Sequence, residues 1–187
     1  MARTIGAAFE EVLAAAQEGA GWACTRLYET LAPAVHGYLR SQGARDASDL
    51  TSEVFLAVFS RCRSFSGTEM QFRSWVFTIA HHRLIDDRRA AGRTPQSQPL
   101  DALSGGVPTS APAEDVAIQH LGEERVADLL AALTAEQRAV LAMRVVGDMT
   151  VDEVASVIGK RPEAVKALQR RGLDALRRRL DAEGVAR

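Results

Sequence analysis

The sequence predicts an all-α protein: two small helical domains joined by a flexible linker, the second a helix-turn-helix domain. Three observations carry this expectation. Apolar residues recur at helical spacing through residues 7–93 and again from 126 onward. Between these blocks, residues 94–113 hold four of the six prolines and an adjacent glycine pair, with too little apolar surface to form a core. The final helical segment, preceded by two capping-box signatures, is strongly basic. The domains are therefore set at 7–93 and 114–187, with the linker at 94–113.

From about residue 7 to 40 the apolar positions, for instance Leu27, Leu31, Val35 and Leu39, keep helical phase, interrupted only by "EGAGW" and Pro33. Two helices are expected there. In "DASDLTSEVFLAVFSRC" (46–62), Leu50, Val54, Phe55, Val58, Phe59 and Cys62 fill one half of a helical projection. Asp49, Ser52, Glu53 and Ser60 fill the other, and Leu56 falls among them. "MQFRSWVFTIAHHRLIDDRRAAGR" (70–93) reads as one long helix closing at Gly92, with Phe72, Trp75, Val76 and Ile79 at core spacing.

Past the linker, Val126, Leu129, Leu130 and Leu133 form an apolar stripe. "TAEQ" at Thr134 opens a helix that stops near Gly147, and "TVDE" at Thr150 opens another that runs to Gly159. Pro162 suits the first turn of the last helix. There Val165, Leu168, Gly172, Leu173, Leu176 and Leu180 lie on one side, with Lys166, Arg170, Arg171, Arg177 and Arg178 on the other.

Composition narrows the function. Apolar residues at 47% and charged residues at 25% are ordinary for a globular protein. No apolar run approaches the roughly 20 residues needed to span a bilayer, and the N-terminus is not signal-like, so a cytoplasmic protein without membrane insertion is expected. Cys24 and Cys62, lacking metal-site spacing, read as small core residues. The formal charge of -1 hides segregation: residues 61–93 carry +4 and 160–187 carry +5, while the remaining segments are acidic. Two basic stations in an acidic chain point to nucleic acid. A helix that buries one face and offers Arg and Lys on the other fits the major groove, where those side chains meet phosphates and guanine edges.

Two rival readings are weaker. A helix-turn-helix repressor or activator that binds duplex DNA by itself would leave the acidic face at 49–60 without a task. A metal enzyme built on "HHRLIDD" would have His82 and Asp86 on one helical face but no third ligand in view, so no catalytic residue, metal or cofactor is expected.

The motifs "DLTSEVFLAVF" (49–59), "FRSWVFTIAHHRLIDDRRAAGR" (72–93) and "LTAEQRAVLAMRVVGDMTVDEVASVIGKRPEAVKALQRRG" (133–172) together resemble the sigma factors of the extracytoplasmic function type. The resemblance spans nearly the whole chain in order and spacing. It implies a two-domain protein that binds RNA polymerase core and directs it to promoters, with an anti-sigma factor as a further partner. By motif matching, Asp49, Leu50, Glu53 and Leu56 fall in the segment that docks on the clamp helices of the largest polymerase subunit. An exposed Leu inside an acidic rim suits such an anchor.

Ser74, Thr78, His81, His82, Arg83, Arg88, Arg89 and Arg93 match the helix that holds the non-template strand of the melted minus-ten element, a task that needs positive charge and a surface for an unstacked base. Arg161, Lys166, Arg170 and Arg171 match contacts to the minus-thirty-five element. The linker, by the same resemblance, threads the polymerase near its RNA exit path, where Asp101, Glu114 and Asp115 suit a channel built for nucleic acid. Two departures stand out. The family usually has Asn at the position of His82 and a capping Ser at that of Arg161, the latter loss worth about 1 kcal/mol.

Overall fold

The computed structural model describes residues 4–93, 126, 128–182 and 184, with only the backbone of 91–93. The linker expected at 94–113, the side chain of Arg93 and the acids Asp101, Glu114 and Asp115 lie outside the described residues. Among those described, every regular element is helical. None of these helices is long and apolar enough to cross a membrane.

Two helices do occupy the first 41 residues: α1 (Phe9–Gln17) and α2 (Gly21–Ser41). The break falls at "EGAGW", where Gly19 adopts a left-handed φ of +89° that a side chain would disfavour. Pro33 does not interrupt α2. Its missing N–H removes one rung, but Pro33 itself is exposed while Leu31, Ala32 and Val35 around it are buried, so packing holds the helix through it. Helix α3 (Ala47–Arg61) starts where the side chain of Asp46 accepts the Asp49 N–H at 2.8 Å. Helix α4 runs from Glu69 to Arg93, one residue past the expected stop at Gly92. Its Glu69 carboxylate accepts the backbone N–H groups of Ile5 and Gly6, fastening the N-terminal strap to it. Gln17 reaches from α1 to the carbonyls of Cys62 and Phe65 and closes the bundle beneath α3.

In the second body, residues 126 and 128–131 are helical and lead through Leu133 into helix α5 (Ala135–Val145), followed by α6 (Val151–Ile158) and α7 (Pro162–Ala182). Both expected capping boxes are formed, Thr134 with Gln137 and Thr150 with Glu153. Gly159 ends α6 in the left-handed conformation at φ +66°. The apolar side of α7 is covered only along its first turns: Val165, Leu168 and Gly172 are buried, whereas Leu173 is 39% exposed. Gly172 lies tight against α5: a Cβ there would stand 2.9 Å from the Leu141 Cδ1, and the Leu141 side chain would have to shift.

The two bodies also touch. α4 packs on α6 and α2 on α5, and one continuous cluster of buried residues runs from Phe9 through Leu168. Gly37 of α2 lets Val146 close in, and Gly147 lies against the Phe77 ring. Arg73, only 4% exposed, donates to the Gly147 carbonyl at 3.4 Å. Nothing in the periodicity of either block indicates this seam.

Candidate polymerase and nucleic-acid interfaces

Helix α3 presents the acidic face. Its buried side carries Leu50, Val54, Phe55 and Val58 into the core, which leaves Asp49, Ser52, Glu53, Leu56 and Ser60 outside. Leu56 is 72% exposed, the exposure an anchor requires. Leu50 corrects the sequence expectation of an exposed contact: at 7% exposure it is a core residue beneath the acidic face of α3. Glu53 meets Arg83 of α4 at 3.8 Å, so one expected polymerase contact and one expected DNA contact face each other across an exposed, weak ion pair. Sequence reasoning missed Trp22 and Tyr28, exposed on α2. Tyr28 borders a shallow groove with Pro33, His36, Ser48 and Ser52 between α2 and α3. The available signal was the same as for Leu56, a large apolar side chain out of phase with its helix.

Helix α4 divides the expected minus-ten residues. His82, Arg83, Arg88 and Arg89 are exposed, and Arg89 pairs with Asp86 at 3.6 Å. Thr78 is half-buried and donates its hydroxyl to the Ser74 carbonyl at 2.9 Å. His81 turns inward, its Nδ1 2.7 Å from the Tyr38 hydroxyl. Burial pushes the Tyr38 pKa far above its ordinary value, so the hydroxyl keeps its proton, and the His81 tautomer sets which of the two groups donates. Burial, with His82 and Arg88 nearby, holds the His81 pKa below its ordinary value. Arg88 also bends back, donating to the Gln42 carbonyl at the end of α2. Trp75, expected in the core, is half-buried and packs beside Phe65 and Phe72, with ring centroids 5.2 and 5.6 Å away.

Arg161, just before α7, and Lys166, Arg170 and Arg171 on it are all exposed, and none forms an ion pair with another described residue. Arg171 donates from Nε to the Ala167 carbonyl, one turn back. The turn between α6 and α7 is braced by Lys160 and Glu136 of α5, 2.8 Å apart. A short helix ended by a left-handed glycine, a tight turn and a second helix with an exposed cationic face make a helix-turn-helix open to a groove.

Comparison with known proteins decides the family. Residues 27–94 match the family model of sigma-70 region 2, and residues 123–176 that of sigma-70 region 4. The ECF RNA polymerase sigma factor SigD of Mycobacterium tuberculosis is 30% identical over 185 residues, covering 96% of this chain and 87% of SigD. The chain belongs to the extracytoplasmic function (ECF) family of RNA polymerase sigma factors. This sigma factor is likewise similar to BldN of Streptomyces coelicolor, 30% identical over 91% of the chain and 65% of BldN. Its fold is that of CnrH, solved in complex with the cytosolic domain of CnrY, with a TM-score of 0.67, 24% identity and coverage of 94% and 98%. As a sigma factor it directs core RNA polymerase to specific promoters and assists in opening them for initiation.

Proposed function

We infer that the 7–93 domain docks on the polymerase clamp helices through the acid-rimmed Leu56 and holds the minus-ten strand along α4, while the 114–187 domain reads the minus-thirty-five duplex with α7. The observation that carries this reading is the exposure of three chemically distinct faces on three helices: Leu56 among Asp49 and Glu53, then His82 with Arg89, then Arg161, Lys166, Arg170 and Arg171. Each face alone is a weak binder, and tethering raises the effective concentration of the second once the first is engaged. The chain acts by binding, without catalysis, in the cytoplasm where polymerase and promoter meet. An anti-sigma factor is proposed as its further protein partner.

Reconstituted run-off transcription with core polymerase tests the assignment of α7. Lys166→Glu with Arg170→Glu is expected to lower promoter-specific transcripts more than tenfold while core association stays intact, since one bidentate base contact is worth about 1 to 3 kcal/mol. Loss of core association in the same variant would make these residues structural.

A further inference from the structure

The segment between α3 and α4 is held by residues from the start of the chain. Gln17, the last residue of α1, is half-buried, and its side-chain amide donates to the Cys62 carbonyl at 3.0 Å and to the Phe65 carbonyl at 2.7 Å. A primary amide has two N–H groups, so both are spent on carbonyls three residues apart, and one side chain sets the path of the backbone between them. The Gln17 carbonyl in turn accepts from Arg63 Nε at 3.2 Å, within the same span. Nearer the N-terminus, the two oxygens of the Glu69 carboxylate are taken by the Ile5 and Gly6 N–H groups at 2.6 and 2.8 Å. Residues 5–17 thus grip the chain at 62–65 and again at 69. The match to sigma-70 region 2 starts at residue 27, so this grip comes from outside it.

What is gripped is a well-defined edge. The Phe65 ring packs on Phe72 and Trp75 in the first turns of α4, with centroids 5.1 and 5.2 Å away. The Thr68 N–H donates to Gln71 Oε1 at 2.9 Å and the Thr68 hydroxyl accepts the Gln71 N–H at 3.3 Å, a capping box at the start of α4. Gly67 fits between these contacts: a Cβ there would stand 2.5 Å from Gln71 Oε1, the atom that Thr68 already holds. Ser66, Gly67, Thr68 and Met70 remain exposed. Counting back along α4 in steps of four, His82, Thr78 and Ser74 lead to Met70, so this edge continues the face assigned to the minus-ten strand.

A fixed edge matters more for choosing a base than for holding a backbone. Phosphate contacts position the strand and carry no sequence information, whereas choice among bases needs groups that stay in place. An edge free to adapt accepts the wrong base almost as well as the right one, and ordering it on binding costs affinity for both. We propose that residues 5–17, through Gln17 and through the strap on Glu69, position the 66–70 edge for minus-ten base choice. Gln17 is a positioning residue in this role: it acts through the Cys62 and Phe65 carbonyls. The proposal rests on the assignment of α4 to the minus-ten strand and deepens it.

The test uses the full chain in holoenzyme and a barcoded template library randomised across both promoter elements. Gln17→Met keeps the length of the side chain but has no N–H to donate. The ratio of transcripts from the best and the worst base at the most selective minus-ten position is expected to fall about fivefold or more, while the corresponding ratio at minus thirty-five and association with core stay within about twofold of the unaltered chain. A merely structural role lowers the amount of active protein and leaves both ratios where they were. An unchanged minus-ten ratio, or an equal fall at both elements, would overturn the proposal. If the unaltered holoenzyme prefers no base at minus ten, the assignment of α4 fails and the proposal with it. Should Gln17→Met not fold, as judged by circular dichroism, Glu69→Gln takes its place, because an amide leaves one of the Ile5 and Gly6 N–H groups without its acceptor. The minus-ten ratio is expected to fall in that variant too, and a ratio equal to that of the unaltered chain would sink the proposal.

Discussion

Leu50 and Leu56 belong to the same helix and the same family motif, yet six residues of α3 turn them to opposite environments: Leu50 7% exposed, Leu56 72%. Only Leu56 can touch a partner. Because it is so exposed, Leu56→Asp combined with Glu53→Lys is expected to change stability by no more than about 0.5 kcal/mol. Association with core polymerase, measured by competition against a reference sigma factor, is expected to fall at least tenfold, and unimpaired association would remove the docking assignment. His81 shows a second division by environment, since it shares an α4 flank with Thr78 and His82 but hydrogen-bonds to Tyr38. Its pKa is lowered from 6.5, so below that pH the unfolded chain takes up a proton that the folded chain resists. The His81 contribution is complete above the unfolded value and is lost as pH falls toward the folded one. Urea midpoints are therefore expected to drop between about pH 7.5 and about pH 5.5, with a shallower drop in His81→Gln. An identical slope in that variant would assign the pH dependence to other groups.

Helix α6 has eight residues, too few to persist without help. Its N-terminus is tied by the reciprocal Thr150 and Glu153 bonds, its C-terminus by Gly159, and its apolar face is buried against α4 and α7. Asp148 just before it takes φ +54°, a conformation that only a short polar side chain accepts readily outside glycine. Thr150→Ala is expected to cost about 1 kcal/mol in urea unfolding, because the Glu153 backbone N–H loses its side-chain acceptor. No measurable change would mean that packing alone holds α6. Both boxes were legible in the sequence because capping is local: the partners lie three residues apart, and the residue types state the bond. Pro33 was less legible, since whether a proline breaks a helix depends on what its neighbours bury, and that is decided by α3 and α4.

Across the whole molecule, the helices and their apolar faces, the charged face of α3 and the basic face of α7 all follow from spacing, because a helix repeats every 3.6 residues and its faces are set once its start and stop are known. The exposed Leu56 was legible for the same reason, as a residue out of phase. The seam between the bodies was not. Arg73, Phe77, His81 and Arg88 form a strip of α4 that reads as mixed polar and apolar, equally compatible with solvent, DNA or a neighbouring helix, and only the approach of Gly37 and Gly147 selects the neighbour. Periodicity states which side of a helix is turned away from water but not which helix covers it, since the hydrophobic effect is non-directional. The sequence by itself thus determined the helices, their caps and the separation of acidic from basic faces. Tertiary structure alone decided that His81 turns toward Tyr38, that the guanidinium of Arg88 bends back to the Gln42 carbonyl and that the two domains close on each other, because those outcomes depend on residues far apart in the chain meeting in space.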